Sequence, residues 1–235
     1  MKYLIVANGI VKNDNRLLRY IRQADVVVCA DGGAGHIKRM NLVPDIVIGD
    51  LDSIEDEVKH YINSYIIQNR VALIKYPTKK NASDTELAVL WAIDQGATDI
   101  TLAGVTGTRM DHTLSNIFLL HTIAQRGIEC RIVDDHNEIY LLSHCVAGHE
   151  SVDEQESLSR MDVSAISVTG EPGGLLSIIP VTQMVTGLTL KGLEYPLDNA
   201  DLTFGSSRGI SNVFNENVAH ISLKQGIMLV IKSSD

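Results

Sequence analysis

Val47-Ile48-Gly49-Asp50-Leu51-Asp52-Ser53 is an apolar run that stops at a glycine and then offers two carboxylates two residues apart. It reads as a buried strand that opens onto a polar turn. Alternate side chains of an extended chain point the same way, so Asp50 and Asp52 can share one Mg²⁺. Mg²⁺ takes hard oxygen ligands, keeps several waters and usually meets phosphate oxygens opposite one or two carboxylates. The same residues also suit an acidic turn ahead of a helix, with Ser53 as its cap. Context favours the metal, because three further polar motifs follow other predicted strands in the same way.

Working outward, apolar runs predict strands at Tyr3–Ala7, Asp25–Ala30, Ile46–Ile48, Ala72–Tyr76, Ile100–Ala103 and Cys130–Val133. Several are apolar almost without a break, as strands buried on both faces are. Helical spacing lies between them: Leu87, Leu90 and Trp91 recur at i, i+3, i+4, as do Leu114, Ile117, Phe118 and His121. Strand–helix alternation implies a mostly parallel α/β sheet. From 147 to 162 the chain turns polar and acidic, and short β-like segments follow at Val163–Val168, Leu175–Ile179, Val185–Leu190, Ala219–Leu223 and Met228–Ile231, punctuated by Gly173-Gly174, Pro180, Gly187, Gly192, Pro196 and Gly205. That pattern fits a small antiparallel sandwich or barrel. The predicted division is an α/β unit over 1–146, an acidic linker over 147–162 and a β unit over 163–235.

In open parallel sheets, ligands bind beyond the carboxyl ends of the strands. Ala30-Asp31-Gly32-Gly33-Ala34-Gly35 follows the second predicted strand, and its glycines let backbone N–H groups approach a phosphate, or simply allow a tight turn. In Lys80-Asn81-Ala82-Ser83-Asp84-Thr85-Glu86, Ser83 and Glu86 have capping-box spacing. Those two read as structural, while Asp84 can serve both the helix dipole and a ligand crevice. Gly104-Val105-Thr106-Gly107-Thr108-Arg109-Met110-Asp111-His112-Thr113 joins a strand to a helix. Arg109 carries a planar fork of donors suited to phosphate, Asp111 suits a helix cap as well as a ligand, and His112 suits solvent equally. Carboxylates gathered at one site repel unless a cation lies between them, so the set together predicts Mg²⁺-assisted transfer of a phosphorus group.

A net charge of −9 without a basic run argues against a nucleic-acid surface. No apolar run approaches the ~20 residues needed to cross a bilayer. Cys29, Cys130 and Cys145 form no CxxC pair, which fits a reduced, cytoplasmic setting.

The chain resembles the thiamine pyrophosphokinase (thiamine diphosphokinase) family. The matching segments are Ala30–Ala34, Pro44–Ser53 and Gly104–His112, and further on Leu176–Pro180, Gly187-Leu188, Tyr195-Pro196-Leu197 and Gly209-Ile210-Ser211-Asn212. The resemblance implies a Rossmann-like α/β domain followed by a β-sandwich domain. It implies transfer of a pyrophosphoryl group from ATP to the hydroxyl of thiamine, with AMP as the second product. It also implies a homodimer whose thiamine lies where one subunit's catalytic domain meets the other's β domain. By motif position, Asp50, Asp52 and Asp84 would handle Mg²⁺ and the phosphates. Asp31, Gly32, Gly33, Gly104, Thr106, Gly107, Arg109, Asp111 and His112 would line the ATP and phosphate region, with Ser211 and Asn212 near thiamine. By chemistry alone, Ser211-Asn212 is equally a polar turn. Asn81 stands where the family's third motif has aspartate, which keeps an oxygen ligand and removes a charge. Two other readings stay open: a phosphatase with Asp50 as covalent nucleophile, and a non-catalytic nucleotide sensor.

Overall fold

The apolar runs of the first half become a parallel sheet. The computed structural model describes residues 1–49, 54–76, 81–144 and 163–234, and the chain divides into two compact units, Met1–His136 and Asn137–Asp235. The first unit runs β1 (Lys2–Val6), α1 (Asp14–Gln23), β2 (Val26–Ala30), a 3-10 turn (Asp31–Gly33), α2 (Ala34–Arg39), β3 (Ile46–Ile48), α3 (Asp56–Ile67), β4 (Ala72–Ile74), α4 (Asp84–Asp94), β5 (Asp99–Ala103), α5 (Met110–Ala124) and β6 (Glu129–Val133). These six strands pair in parallel in the order β6-β5-β1-β2-β3-β4.

Both faces of this sheet are buried, which is why its strands are apolar without alternation. Leu4, Val6, Val27, Cys29 and Val47 pack with Leu17 of α1, Ile37 of α2 and Val58 and Ile62 of α3. The alternate residues, among them Ile5, Val28, Ile48 and Leu102, are buried as well, and α4 packs over β1, β2 and β3. Helix α4 starts where the capping pattern placed it: Ser83 Oγ accepts the Glu86 N–H at 3.1 Å.

Helix α5 departs from the expectation. The stripe Leu114, Ile117 and Phe118 does not form the core face: Leu114 is 47% exposed and Phe118 53%. The buried face holds Thr113, Asn116, Leu119, Leu120 and Ile123. Apolar spacing located the helix but misassigned its inner side, because two polar residues with fixed partners occupy that side. His121 is half-buried, with Nδ1 lacking a hydrogen-bond partner among the described residues.

The second unit contains β7 (Asn137–His144), β8 (Ser164–Thr169), β9 (Leu175–Pro180), β10 (Met184–Lys191), β11 (Leu197–Thr203), β12 (Asn212–Val213), β13 (Val218–Leu223) and β14 (Gly226–Ser233). They form two antiparallel layers, β12-β9-β14-β7 and β11-β10-β13-β8. Phe214, Leu176, Ile178 and Met228 from one layer and Val185, Leu188, Ala219 and Ile221 from the other share one core. The expected α/β sheet domain followed by a β-sandwich is therefore what the chain forms. Strand β7 precedes the acidic segment in sequence yet pairs along its length with β14, so the compact β unit begins at Asn137. Strands β7, β11 and β12 were not expected; β11 is an edge strand whose residues, Leu202 apart, are not buried.

One contact ties β1 to the turn after β2. A Cβ on Gly33 would lie 1.9 Å from the Val6 carbonyl oxygen, whereas one on Gly35 meets nothing closer than 4.0 Å. Gly35→Ala should stabilise the protein by about 0.5–1 kcal/mol through helix propensity. Gly33→Ala should destabilise it by about 1–3 kcal/mol through overpacking. Denaturant unfolding of the two variants checks the opposite signs.

Candidate active site

Strand β1 is the point where the sheet's order reverses, with β2 on one side and β5 on the other. Crevices form at such switch points because the flanking connections leave in opposite directions. Here the turns beyond β1 and β5 continue the pairing. Ala7 N–H donates to Ala103 O at 2.9 Å, Gly9 N–H to Gly104 O at 2.5 Å and Ile10 N–H to Thr106 O at 2.8 Å. The rest of the 8–13 loop is braced from outside. Asp135 accepts the N–H groups of Lys12 and Asn13 at 2.9 and 2.8 Å. Arg39 Nη2 donates to Val11 O at 3.0 Å, and His36 Nε2 lies 2.9 Å from Gly9 O. A carbonyl oxygen only accepts, so Nε2 is the donor there, and burial pushes the His36 pKa down.

A cavity of about 670 Å³ opens over this seam. Its walls include Asp31, Asp84, Gly104, Thr106, Gly107, Arg109 and His112 from the sequence reading, together with Asn8, Ser83, Thr113 and Asn116. Gly32 faces a neighbouring cavity that shares Asn8. Gly33 is buried against β1.

The acidic wall has a defined geometry. A Cβ built on Gly49 would lie 3.2 Å from Asp84 Oδ1 and 3.2 Å from the Asp31 Cβ. Asp31 and Asp84, from two separate loops, thus flank the residue from which the chain enters Asp50. Asp31 is 8% exposed and sits at φ 45°, a left-handed conformation unusual outside glycine. A strained residue at a strand end is a mark of a functional turn. Asp50 and Asp52 lie outside the described residues.

Across the cavity, Arg109 and Asp111 form an ion pair, Nη2 to Oδ2 at 2.5 Å. The Arg109 guanidinium holds the Asp111 carboxyl below its ordinary range. Asp111 does not line the cavity; both side chains face solvent, so the pair adds little stability and opens readily.

Two comparisons of sequence bear on this site. Residues 17–132 match the description "Thiamin pyrophosphokinase, catalytic domain" and residues 164–228 "Thiamin pyrophosphokinase, vitamin B1 binding domain". The chain belongs to the thiamine pyrophosphokinase family. It is therefore an enzyme, and the family's product is thiamine diphosphate, made from thiamine. A thiamine pyrophosphokinase of Bacillus subtilis is 29% identical over 98% of both chains. The crystal structure of a thiamine pyrophosphokinase from B. subtilis superposes with a TM-score of 0.81 at 25% identity, covering 100% of each chain. One from Geobacillus thermodenitrificans gives 0.79 at 28% identity, covering 100% of this chain and 98% of that one.

In the β unit, Ser211 ends a tight turn at φ 55° and Asn212 opens β12. Ser211 N–H donates to Ser177 Oγ at 2.9 Å. Asn212 is 2% exposed, and its amide is committed to backbone. Oδ1 accepts from Tyr195 N–H at 3.0 Å and Val213 N–H at 2.9 Å, while Nδ2 donates to Tyr195 O at 2.8 Å. The side chain thus stands in for a strand partner and holds Tyr195, a residue 64% exposed. The sequence reading missed Asn116 and Thr113 in the first unit and Tyr195 as the residue that Asn212 presents. The signal for the first two was available as a polar pair at i, i+3 directly after a glycine-bearing turn.

Asn212→Ala should cost about 1–3 kcal/mol in denaturant unfolding, since it strands buried backbone groups.

Proposed function

We propose that this enzyme transfers the pyrophosphoryl group of ATP to the hydroxyl of thiamine, giving thiamine diphosphate and AMP, with Mg²⁺ held by Asp50, Asp52 and Asp84. The observation that carries the reading is the approach of Asp31 and Asp84 to Gly49 beside the switch-point cavity. Two acidic residues from separate loops meet at the start of the segment that supplies two more. A divalent cation relieves the repulsion of carboxylates gathered at one place. Asp50 and Asp52, which follow Gly49 in the sequence, would by the resemblance complete the donor set with Asp84. All the donors are hard oxygens, as Mg²⁺ requires. When bound, the metal would neutralise phosphate charge.

The chain's own residues supply the rest. The thiamine hydroxyl attacks the β-phosphorus; its new P–O bond forms as the bond to the α-phosphate oxygen breaks and AMP leaves. One of the gathered carboxylates takes the hydroxyl proton. Arg109 exchanges its solvent-exposed partner Asp111 for phosphate oxygens, to which its fork fits. Gly104, Thr106, Gly107 and His112 line the phosphate path, and the Asp31-Gly32-Gly33 turn borders it. In the β unit, Ser211 and Asn212 shape the thiamine surface, Asn212 by way of Tyr195.

A homodimer accords with the resemblance and with the surface of α5. Met110, Leu114 and Phe118 are 61%, 47% and 53% exposed at helical spacing, an apolar stripe of the kind that marks a protein contact. Free thiols at Cys29 and Cys130 suit a reducing, cytoplasmic setting. No helix among the described residues is long and apolar enough to cross a membrane.

Incubation with Mg²⁺, ATP and thiamine should yield AMP and thiamine diphosphate in equal amounts, and chelation should abolish turnover until Mg²⁺ is restored. A protein that binds ATP and releases no AMP would favour the sensor instead; a trapped phospho-aspartate at Asp50 would favour the phosphatase. Asp52→Asn and Asp84→Asn should each lower kcat by about 100-fold or more with the fold intact. Undiminished rates at saturating Mg²⁺ and ATP would refute those roles. Phe118→Glu should convert the dimer to monomer in sedimentation; an unchanged dimer would place the contact elsewhere.

A further inference from the structure

The turn between β5 and α5 uses its backbone in a one-sided way. Every carbonyl oxygen from Gly104 to Thr106 accepts a hydrogen bond from protein. Gly104 O takes Gly9 N–H at 2.5 Å and Thr106 O takes Ile10 N–H at 2.8 Å. Val105 O takes Asn116 Nδ2 at 2.8 Å. At Gly107, Thr113 Oγ1 accepts the N–H at 3.2 Å and lies 3.5 Å from the carbonyl oxygen. The N–H groups of Val105, Thr106 and Thr108, by contrast, have no acceptor among the described residues. Carbonyl oxygens repel an anion and N–H groups attract one, so a turn with the Gly104–Thr106 carbonyls tied off and three N–H groups unused suits a phosphate.

Two of the ties come from α5. Thr113 and Asn116 are 9% and 6% exposed, one helical turn apart. Both border the cavity. They are the polar residues that displace apolar ones from the inner face of this helix. Burying them costs free energy unless their bonds are made, and the bonds they make are to this turn.

We propose that Thr113 and Asn116 are positioning residues for the anionic substrate. From the inner face of α5, Asn116 engages the Val105 carbonyl and Thr113 fixes Gly107 through its N–H, so that the turn is left to meet phosphate oxygens with the N–H groups of Val105, Thr106 and Thr108. This rests on the reading of ATP as the phosphate donor. Thr113→Val keeps the shape and removes the hydroxyl. Asn116→Leu leaves the Val105 carbonyl without its donor, and Thr113→Ser restores the hydroxyl.

The test measures KM for ATP and for thiamine, the dissociation constant of Mg·ATP by calorimetry, and the thermal midpoint. In Thr113→Val and Asn116→Leu, KM for ATP and the Mg·ATP dissociation constant should rise about tenfold each, the scale of one lost hydrogen bond to a charged-ligand turn. KM for thiamine should stay within about twofold, and Thr113→Ser should bind Mg·ATP within about twofold of wild type. An unchanged Mg·ATP constant, or equal rises in both KM values that follow the loss of thermal stability, would overturn the proposal. If wild type binds Mg·ATP and forms no AMP, the transfer reading fails, and the Mg·ATP constants alone decide the role of Thr113 and Asn116. If wild type does not bind Mg·ATP, both fall together.

Discussion

The pairing of the turns beyond β1 and β5 is the constraint on which the candidate site depends. Parallel strands usually part company at a switch point, and the crevice between them is shaped by whatever the connections do next. Here Gly9 and Ile10 go on donating to Gly104 and Thr106 after the strands have ended. The floor of the cavity is therefore backbone, held at hydrogen-bond distance, and not a layer of mobile side chains. Asp135, Arg39 and His36 hold the outer edge of the same loop. Fixing a site in advance removes the ordering cost that a flexible loop would pay on binding.

On that floor the charges are sorted. Asp31 and Asp84 stand at one wall, both close to Gly49. The other wall is the Gly104–Arg109 turn, with the carbonyl oxygens of Gly104, Val105 and Thr106 engaged and a guanidinium at its end. A polyphosphate with a divalent cation matches such a pair of walls, the cation against the carboxylates and the anionic oxygens against N–H groups and arginine. The exposed Arg109–Asp111 pair costs little to open, so it leaves the arginine available without leaving it unpaired in the free protein.

The β unit solves a different problem. A sandwich keeps its core by alternation, and its functional residues sit where alternation stops. Asn212 spends its whole amide on Tyr195 and Val213. That commitment fixes the turn bearing Ser211 and presents an aromatic ring to solvent. The residue with the more suggestive side chain is thus committed to its neighbour's backbone.

Much of this was legible in the amino-acid chain. Continuous apolar runs identified the six parallel strands, since only strands covered on both faces can afford them. Ser83 and Glu86 marked the start of α4, because capping is a local interaction. Glycine and aspartate at strand ends marked the loops of the site. What the chain alone could not show is everything decided by partners distant in sequence. The inner face of α5 was misread because Thr113 and Asn116 are buried only by virtue of the turn they bond, and an apolar stripe that faces outward looks the same on paper as one that faces inward. The edge strand β11 carries too few buried residues to announce itself, and β7 joins the β unit through its pairing with β14, far along the chain. Sequence determined which residues have the chemistry; tertiary structure alone decided which of them meet, because hydrogen bonds and charge act over ångströms of space and not along the chain.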